Sequence, residues 1–233
     1  MNRLEGKNME TIKHLFHGSV SVVQHPAFGK GKAHNDYGLG FYCTEHVELA
    51  KEWACASNRD GYANHYQLAM DGLSVLNLNS DNYTILNWLA ILLENRKFVV
   101  AEGLPQRAKD YLLKNFMVDY KNYDVIVGYR ADDSYFSYAS DFVNNTLSLN
   151  DLGEAMRLGK LGEQVVLKSP KAFGALTFVE AIDANREEYY SRYKSRDEEA
   201  RDKYRQIANQ PLAENEIYVI DIIRNNWKNG QGL

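Results

Sequence analysis

The sequence has few cysteines, few prolines and no long apolar segment, and each shortage removes a class of structure. The two cysteines, Cys43 and Cys55, are too few for a disulfide framework and form no Cys-x-x-Cys zinc motif. The four prolines are scattered, and no Pro/Ser-rich tract or internal repeat occurs. No uninterrupted apolar run of about eighteen residues suggests a membrane span. We therefore expect one domain with extensions, no metal and no contact with a membrane.

The sequence also lacks a large excess of positive or negative charge, with 27 basic residues (Lys and Arg) and 31 acidic residues. The net charge of −4 gives no general attraction to nucleic acid or to an anionic membrane. The polar first residues lack the apolar stretch of a secretory signal, so we expect a cytoplasmic protein. Hydrophobic residues make up 45% of the chain and charged residues 25%, which is typical of a packed globular core.

The common catalytic signatures are missing as well. The sequence contains no Walker loop, no Gly-x-Gly-x-x-Gly after a strand, no His-Glu-x-x-His and no nucleophile elbow. The usual nucleotide-binding and hydrolase classes therefore have no support in the sequence.

Local patterns in the first third of the chain predict short strands and a helix. A strand over Ile12–His17 is expected to end at a turn formed by Gly18 and Ser19. The segment DYGLGFYCT predicts a second strand, and Thr44 is placed to cap a helix over Glu45–Ala56. Asp71-Gly72 between two apolar runs predicts a β-hairpin.

The rest of the chain mixes the two element types. Asn79 and Asp81 are expected to open a buried helix, and the pattern over Leu104–Phe116 predicts an amphipathic helix. YDVIVGYR and GEQVVLKSP predict buried strands, and the chain after Phe178 predicts charged helices. Strands scattered among helices without a βαβ rhythm indicate the α+β class. We expect a domain over residues 1–178 and a helical C-terminal extension over 179–233 packed on it.

Three segments combine residues that suit a flat, amide-bearing ligand. In LFHGS, the His17 imidazole can bond a ligand hydroxyl, and Gly18 leaves its backbone N–H and C=O open. In GLGFY, the glycines allow close backbone approach, while Tyr42 and Trp53 offer two flat faces. The alternatives are a strand-end histidine bonded by a loop and two aromatic residues of the core.

The third segment is LGEQVVLK at the start of a buried strand. Alternation sends Glu163 and Gln164 to opposite sides of the strand, so only one of them can face a given site. The alternative is a solvated strand start.

Taken in order, these segments resemble the His-Tyr-Glu branch of the ADP-ribosyltransferase superfamily, which contains diphtheria toxin and the poly(ADP-ribose) polymerases. That pattern has a His-Gly ending a strand and a Gly-x-Gly-x-Tyr strand entering a helix. An aromatic residue follows eleven positions after the tyrosine, as Trp53 follows Tyr42, and a glutamate opens a late strand. The phrases LFHGS, NDYGLGFYCTEHVELAKEWA, GYRADDSYF and GEQVVLKS are also similar to an uncharacterised bacterial family assigned to that superfamily.

The resemblance implies a fold and a set of roles. The fold would be an ADP-ribosyltransferase-like split mixed β-sheet with flanking helices, and NAD would be the substrate. His17 would bond a ribose, and Tyr42 and Trp53 would stack on the nicotinamide ring. The remaining contacts to NAD would come from Gly18, Ser19, Gly40 and Arg130, the last of these at the pyrophosphate.

Gln164 stands where the superfamily has its catalytic glutamate. A glutamate would bond the ribose hydroxyl and stabilise the positive charge that develops as nicotinamide leaves, whereas an amide supplies only the hydrogen bond. Glu163 would take this place if the strand register differed by one residue. Asp132 and Asp133 would orient an acceptor or act as a base, or else cap the helix that they open.

The function implied is mono-ADP-ribosylation of an unidentified protein or nucleic-acid acceptor. Members of the bacterial family are often encoded beside small helical proteins that resemble antitoxins, which implies a toxin role by association. The alternative is an NAD or ADP-ribose binding module with weak or no catalysis that acts through a protein partner. A nucleic-acid-modifying toxin is a third hypothesis, favoured if basic residues of Arg186–Arg205 line the cleft.

Overall fold

A computed structural model describes residues 11–97, 99–131, 133–158, 163–210 and 215–230, with the side chains of 133–136 left out. The strands are β1 Ile12–Ser19, β2 Phe41–Cys43, β3 Gly61–Ala69, β4 Val75–Asn77, β5 Val125–Tyr129, β6 Glu163–Leu167 and β7 Leu176–Ala184. The helices are α1 Val47–Cys55, α2 Ile85–Asn95, α3 Leu104–Phe116, α4 Asp133–Val143, α5 Leu149–Ala155, α6 Pro170–Gly174, α7 Arg186–Ala208 and α8 Val219–Arg224. The α+β class is confirmed.

The strands form two sheets that meet at one point. The order β1-β3-β7 makes an antiparallel three-stranded sheet, and β2-β6-β5-β4 makes a four-stranded sheet in which only β4 and β5 are parallel. In the described part of the chain, one isolated antiparallel bridge joins them, between Phe16 of β1 and Thr44 after β2. The Phe16 N–H donates to the Thr44 carbonyl at 2.8 Å, and the Thr44 N–H donates back at 3.0 Å.

The main core lies on one face of the four-stranded sheet. Helix α2 is apolar on nearly every side and is almost completely buried there, as its composition predicts. Helices α3, α4, α5 and α8 add side chains to the same core. A smaller core between the two sheets contains Leu15, Cys43, Leu68 and Val165. Both cysteines are buried and free, and burial raises the pKa of each thiol, as expected for core residues.

Several predicted element boundaries hold and others do not. Helix α3 has the predicted bounds, Leu104–Phe116. Strand β1 continues through Gly18 and Ser19, so the predicted turn at these two residues is wrong. Helix α1 begins after His46 and has no side-chain cap, because the Thr44 hydroxyl instead accepts from the His46 N–H at 3.2 Å.

Two other local predictions are also wrong. Asp71-Gly72 does not close a hairpin, because β3 belongs to the three-stranded sheet and β4 pairs in parallel with β5. Helix α2 begins later than Asn79 and Asp81 suggested, at a capping box made by Thr84 and Asn87.

The C-terminal part begins with a strand. Residues 179–184 belong to β7, which pairs with β3 through most of its length, so the predicted helical extension starts only at α7. The expected division after residue 178 therefore falls inside a strand. No helix in the described ranges is long and apolar enough to cross a bilayer.

Helix α7 is held on α1 by an ion pair that is largely removed from water. The Glu52 side chain is 3% exposed and accepts two hydrogen bonds from the Arg196 guanidinium, from Nε and Nη2, both at 2.8 Å. A second, exposed pair joins Glu48 to Arg192 at 2.7 Å. Helix α7 therefore packs on the helix that carries Trp53, one of the predicted site residues.

We expect Arg196→Ala to lower the free energy of unfolding by about 3–5 kcal/mol, because it leaves the Glu52 carboxylate buried without its partner. Lys203→Ala on the same helix removes an exposed pair with Glu199 and should cost less than about 1 kcal/mol. Urea denaturation of both variants measures the difference. Equal losses would show that the Glu52–Arg196 pair does not hold α7 in place.

Candidate functional site

The candidate site is the edge at which the pairing of β1 with β2 stops after the Phe16–Thr44 bridge, and we call this edge the opening. In a regular antiparallel ladder the pair after Phe16 and Thr44 would be Gly18 and Tyr42, two residues further along each strand. That pair is not formed, because the Tyr42 carbonyl is bonded to the His17 ring, 2.8 Å from Nδ1. Gly18 turns its N–H and C=O toward the same edge as Phe16, and within the described ranges no hydrogen bond links Gly18 to β2. Among the described residues, the Gly18 N–H and C=O therefore have no partner on this edge.

The tautomer of His17 follows from this contact. A carbonyl oxygen only accepts, so Nδ1 carries the hydrogen and Nε2 of the neutral ring keeps a lone pair for a ligand donor. Burial lowers the pKa of His17 from its usual value, although the bond to the Tyr42 carbonyl opposes this shift. The ring also lies against Phe41, with centroids 4.4 Å apart. His17 is therefore held neutral as a hydrogen-bond acceptor at the edge of the opening.

Gly18 also brings α1 close to the strand. A Cβ atom at residue 18 would lie 2.0 Å from the Ala50 carbonyl oxygen and 2.9 Å from Cβ of Trp53. Only glycine allows the helix backbone to approach this closely. The packing places Trp53 directly beside Gly18.

Tyr42 is fixed by its hydroxyl group. The hydroxyl donates to the Gly38 carbonyl at 2.5 Å and accepts from the Tyr37 N–H at 3.1 Å. Burial raises the pKa of Tyr42, so the phenol remains neutral. Its partner across the ladder is Val166, and Gln164 lies two residues along β6, so Tyr42 and Gln164 project from the same face.

Gln164 is 5% exposed and contacts a buried carboxylate. Its side-chain Nε2 donates to Oδ2 of Asp36 at 3.3 Å. Its Oε1 is buried and has no hydrogen-bond partner within the described part of the chain. A buried amide oxygen without a partner costs free energy, so a bound ligand with a donor group would satisfy it.

Asp36 is 4% exposed and ties together three distant segments. Its Oδ1 accepts from Nε of Arg96 at 2.8 Å, and its Oδ2 accepts from the Ala131 N–H at 2.8 Å as well as from Gln164. Burial raises the pKa of Asp36, while Arg96 and the Ala131 amide act in the opposite direction. The carboxylate is thus surrounded by donors.

Arg130 covers the Trp53 ring. Its guanidinium carbon lies 4.0 Å from the ring centroid, the geometry of a cation–π contact. Nε1 of the indole is buried without a hydrogen-bond partner among the described residues. Two of the predicted NAD-binding residues are therefore neighbours, and Arg130 already covers one face of Trp53.

Contacts link most of the predicted residues into one cluster. Trp53 touches Arg130, whose charge acts on Asp36, and Asp36 bonds Gln164. Tyr37, which follows Asp36, bonds the Tyr42 hydroxyl, and the Tyr42 carbonyl bonds His17. The fold thus brings together segments that lie far apart in the sequence.

For three predicted site residues, the structure shows a different position or a structural role. Glu163 is exposed on the opposite face of β6 and accepts from Nδ2 of Asn79 at 2.7 Å, so it does not join Gln164. The Ser19 hydroxyl is bonded to the backbone of Ser21. A Cβ at Gly40 would lie 2.7 Å from Cγ1 of Val166, so packing on β6 accounts for this glycine.

The two predicted acceptor-orienting aspartates are not described in full. Asp132 lies outside the described residues. Asp133 is the first residue of α4, and its side chain lies outside them too.

Sequence reasoning missed Asp36 and Arg96 as parts of the site. Asp36 lies in a segment whose proline and glycines favour irregular backbone, and Arg96 follows an apolar run, so neither position indicates a site. The available signal was a carboxylate directly before an aromatic residue in a glycine-rich loop, which is a weak pattern. Only the fold shows that this carboxylate is buried beside Gln164.

Comparisons with known proteins place the chain in a family without assigning a function. Residues 13–178 match the model of a family described as a protein of unknown function, DUF3990. Because this match covers well over half of the chain, the chain belongs to that family. No curated protein and no solved structure matches it.

We expect Gly18→Ala to destabilise the fold by about 2 kcal/mol or more, because the added methyl group must push α1 away from β1. The matched control is Gly153→Ala in α5, where a Cβ would meet nothing within 4 Å. That change should stabilise by about 0.5–1 kcal/mol, since alanine favours a helix interior. Thermal or urea unfolding of both variants distinguishes close packing at residue 18 from a general glycine effect, which would give both changes the same sign.

The lowered pKa of His17 predicts a pH dependence of stability. Between the folded pKa and the usual value of 6.5, the unfolded chain binds the proton and the folded chain does not. The free energy of unfolding should therefore fall as the pH drops below about 6.5.

In His17→Asn, whose amide can still donate to the Tyr42 carbonyl, this contribution should disappear. Urea titrations of both proteins between about pH 7 and pH 5 measure it. An unchanged pH slope in the variant would contradict the assignment of a lowered pKa to His17.

Proposed function

We propose that this member of the DUF3990 family is an NAD-dependent mono-ADP-ribosyltransferase that binds NAD in the opening between β1 and β2. The observation that carries the proposal is the unpaired edge at Gly18, where a backbone N–H and C=O face the opening beside the His17 ring. This edge accepts a planar group that offers one acceptor and one donor.

The nicotinamide carboxamide is a group of that kind. Its carbonyl oxygen would accept from the Gly18 N–H, and its amino group would donate to the Gly18 carbonyl. The same two bonds would otherwise close the ladder to Tyr42. The flanking Tyr42 and Trp53 side chains would then lie near the aromatic ring.

The acceptor atoms of the site suit the ribose. Nε2 of His17 and Oε1 of Gln164 both lack a hydrogen, and each would accept from a ribose hydroxyl. Arg130 lies against one face of Trp53, and its guanidinium would bond the diphosphate of NAD. The two acceptor atoms and the nearby guanidinium together support a dinucleotide rather than free nicotinamide as the ligand.

The fold is compatible with this proposal. The division of the strands between two sheets agrees with the split mixed β-sheet that the resemblance implies. The ADP-ribosyltransferase fold itself remains part of the proposal.

The reaction would begin by breaking the bond between C1′ of the ribose and the nicotinamide nitrogen. The bonding electron pair leaves with nicotinamide, which becomes neutral, and positive charge develops on the ribose. A nucleophilic atom of the acceptor then bonds C1′ and loses its proton to solvent or to a nearby base. Removing one group that stabilises such a charge typically costs about a hundredfold in rate or more.

A binding module is the second candidate function. It is favoured by the neutral amide of Gln164, and by Arg130, which covers Trp53. In that case the protein would hold NAD or ADP-ribose and act through a protein partner.

The enzyme proposal is tested by incubating the protein with NAD and with cell lysate as the source of acceptor. The nicotinamide released is measured over time by chromatography. The wild-type protein should release nicotinamide, and His17→Ala and Gln164→Ala should each slow release about a hundredfold or more. Glu163→Ala is the matched control on the adjacent residue and should retain the wild-type rate, because its side chain faces away from Gln164.

Calorimetric titration with NAD separates the remaining outcomes. Binding without release would favour the binding module. An absence of both binding and release in the folded wild-type protein would contradict the proposed function.

A further inference from the structure

The buried carboxylate of Asp36 accepts a hydrogen bond from the side-chain amide of Gln164. We propose that Asp36 is a positioning residue, which fixes the Gln164 amide with Oε1 toward the opening and makes that oxygen a stronger acceptor. The ligand that Oε1 would meet is a ribose hydroxyl, and this part of the inference rests on the proposed function. The orientation of the amide does not depend on it.

The orientation follows from the chemistry of the two groups. A glutamine amide has a donor end and an acceptor end that can exchange by rotation, so an unrestrained amide presents either one. An ionised carboxylate only accepts, so it selects the Nε2 end, as the 3.3 Å contact to Oδ2 shows. Oε1 must then point away from Asp36, and it is buried without a partner among the described residues.

Asp36 is itself held in place on two sides. Arg96 bonds Oδ1 through Nε and also donates from Nη2 to the Ala131 carbonyl at 2.7 Å. The Ala131 N–H bonds Oδ2. Burial raises the pKa of Asp36, but Arg96 and the Ala131 amide favour its ionised form and hold the carboxylate in one position, so they also fix the Gln164 amide that contacts it.

The contact also changes the character of Oε1. Hydrogen bonds in a chain polarise one another, by roughly 10–30% for each bond. Donation from Nε2 to a carboxylate shifts electron density toward Oε1, so the amide oxygen gains part of the negative character that a glutamate would have. Asp36 and Gln164 together would thus replace part of the function of one glutamate.

An exchange of the two side-chain types tests this arrangement. Asp36→Asn removes the group that selects the Nε2 end, so NAD affinity should fall about tenfold or more. Gln164→Glu alone should also weaken binding, because two carboxylates would face each other at the present contact. In the double variant Asp36→Asn with Gln164→Glu, the amide introduced at position 36 can donate to the carboxylate introduced at position 164. That carboxylate again presents an acceptor to the opening.

The double variant should therefore bind NAD within about threefold of the wild-type protein, although each single change weakens binding. In the wild-type protein the Ala131 N–H donates to Oδ2 of Asp36. Asp36→Asn removes one of the two acceptor oxygens, so both variants that carry this change will be less stable. Affinity, measured by calorimetry on folded protein, is the informative quantity. Failure of Gln164→Glu to rescue Asp36→Asn would overturn the inference.

Arg96→Gln is the matched control for a purely structural role. Arg96 anchors the same loop through Asp36 but is not among the groups that bond Gln164. Gln164→Glu should not rescue the NAD affinity of Arg96→Gln. Rescue of both Asp36→Asn and Arg96→Gln would overturn the inference, because a specific exchange across one contact could not produce it.

A measurement without NAD separates this inference from the proposed function. The side-chain amide signal of Gln164 in a ¹H–¹⁵N spectrum should show slow exchange with solvent in the wild-type protein. In Asp36→Asn it should move and exchange faster. If this change occurs while no variant binds NAD, the positioning stands and the proposed function fails. An unchanged Gln164 amide signal in folded Asp36→Asn would overturn the positioning itself.

Discussion

The architecture of the site depends on the buried ion pair between Asp36 and Arg96. The loop between β1 and β2 has little regular backbone bonding of its own, and Asp36 connects it to the end of α2, to the segment after β5 and to β6. A carboxylate at this depth is tolerated only because the surrounding donors compensate for the loss of water. Without it, Arg96 and the Ala131 amide would lose an acceptor, and the loop would lose its main fixed point.

Neighbouring contacts hold the same loop against the four-stranded sheet. The fully buried Tyr37 donates from its hydroxyl to the Tyr129 carbonyl at 2.6 Å. Nζ of Lys168 donates to the carbonyls of Tyr37 and Leu39 at 2.5 and 2.6 Å, and burial lowers the pKa of this lysine to about 8. These bonds fix the loop against the four-stranded sheet from both sides.

The sequence allowed prediction of those elements that depend on local pattern. The bounds of α3, the burial of α2 and the alternation of Glu163 and Gln164 follow from periodicity, which is read within one element. The hairpin predicted at Asp71-Gly72 was wrong because turn chemistry does not tell which strands pair, and β7 was missed because its long-range pairing with β3 leaves a mixed surface. Asp36 was missed because irregular loops have no period, so the burial of a loop carboxylate is decided by tertiary packing alone.

The central claim is that the unpaired edge at Gly18 and the oriented amide of Gln164 form one binding site for the nicotinamide riboside of NAD. The most direct test is a crystal structure of the protein with NAD or nicotinamide bound. We expect the carboxamide to bond the backbone of Gly18 and the ring to lie beside Tyr42 and Trp53. A ligand bound elsewhere, with Gly18 and Oε1 of Gln164 making no contact to it, would contradict this binding site.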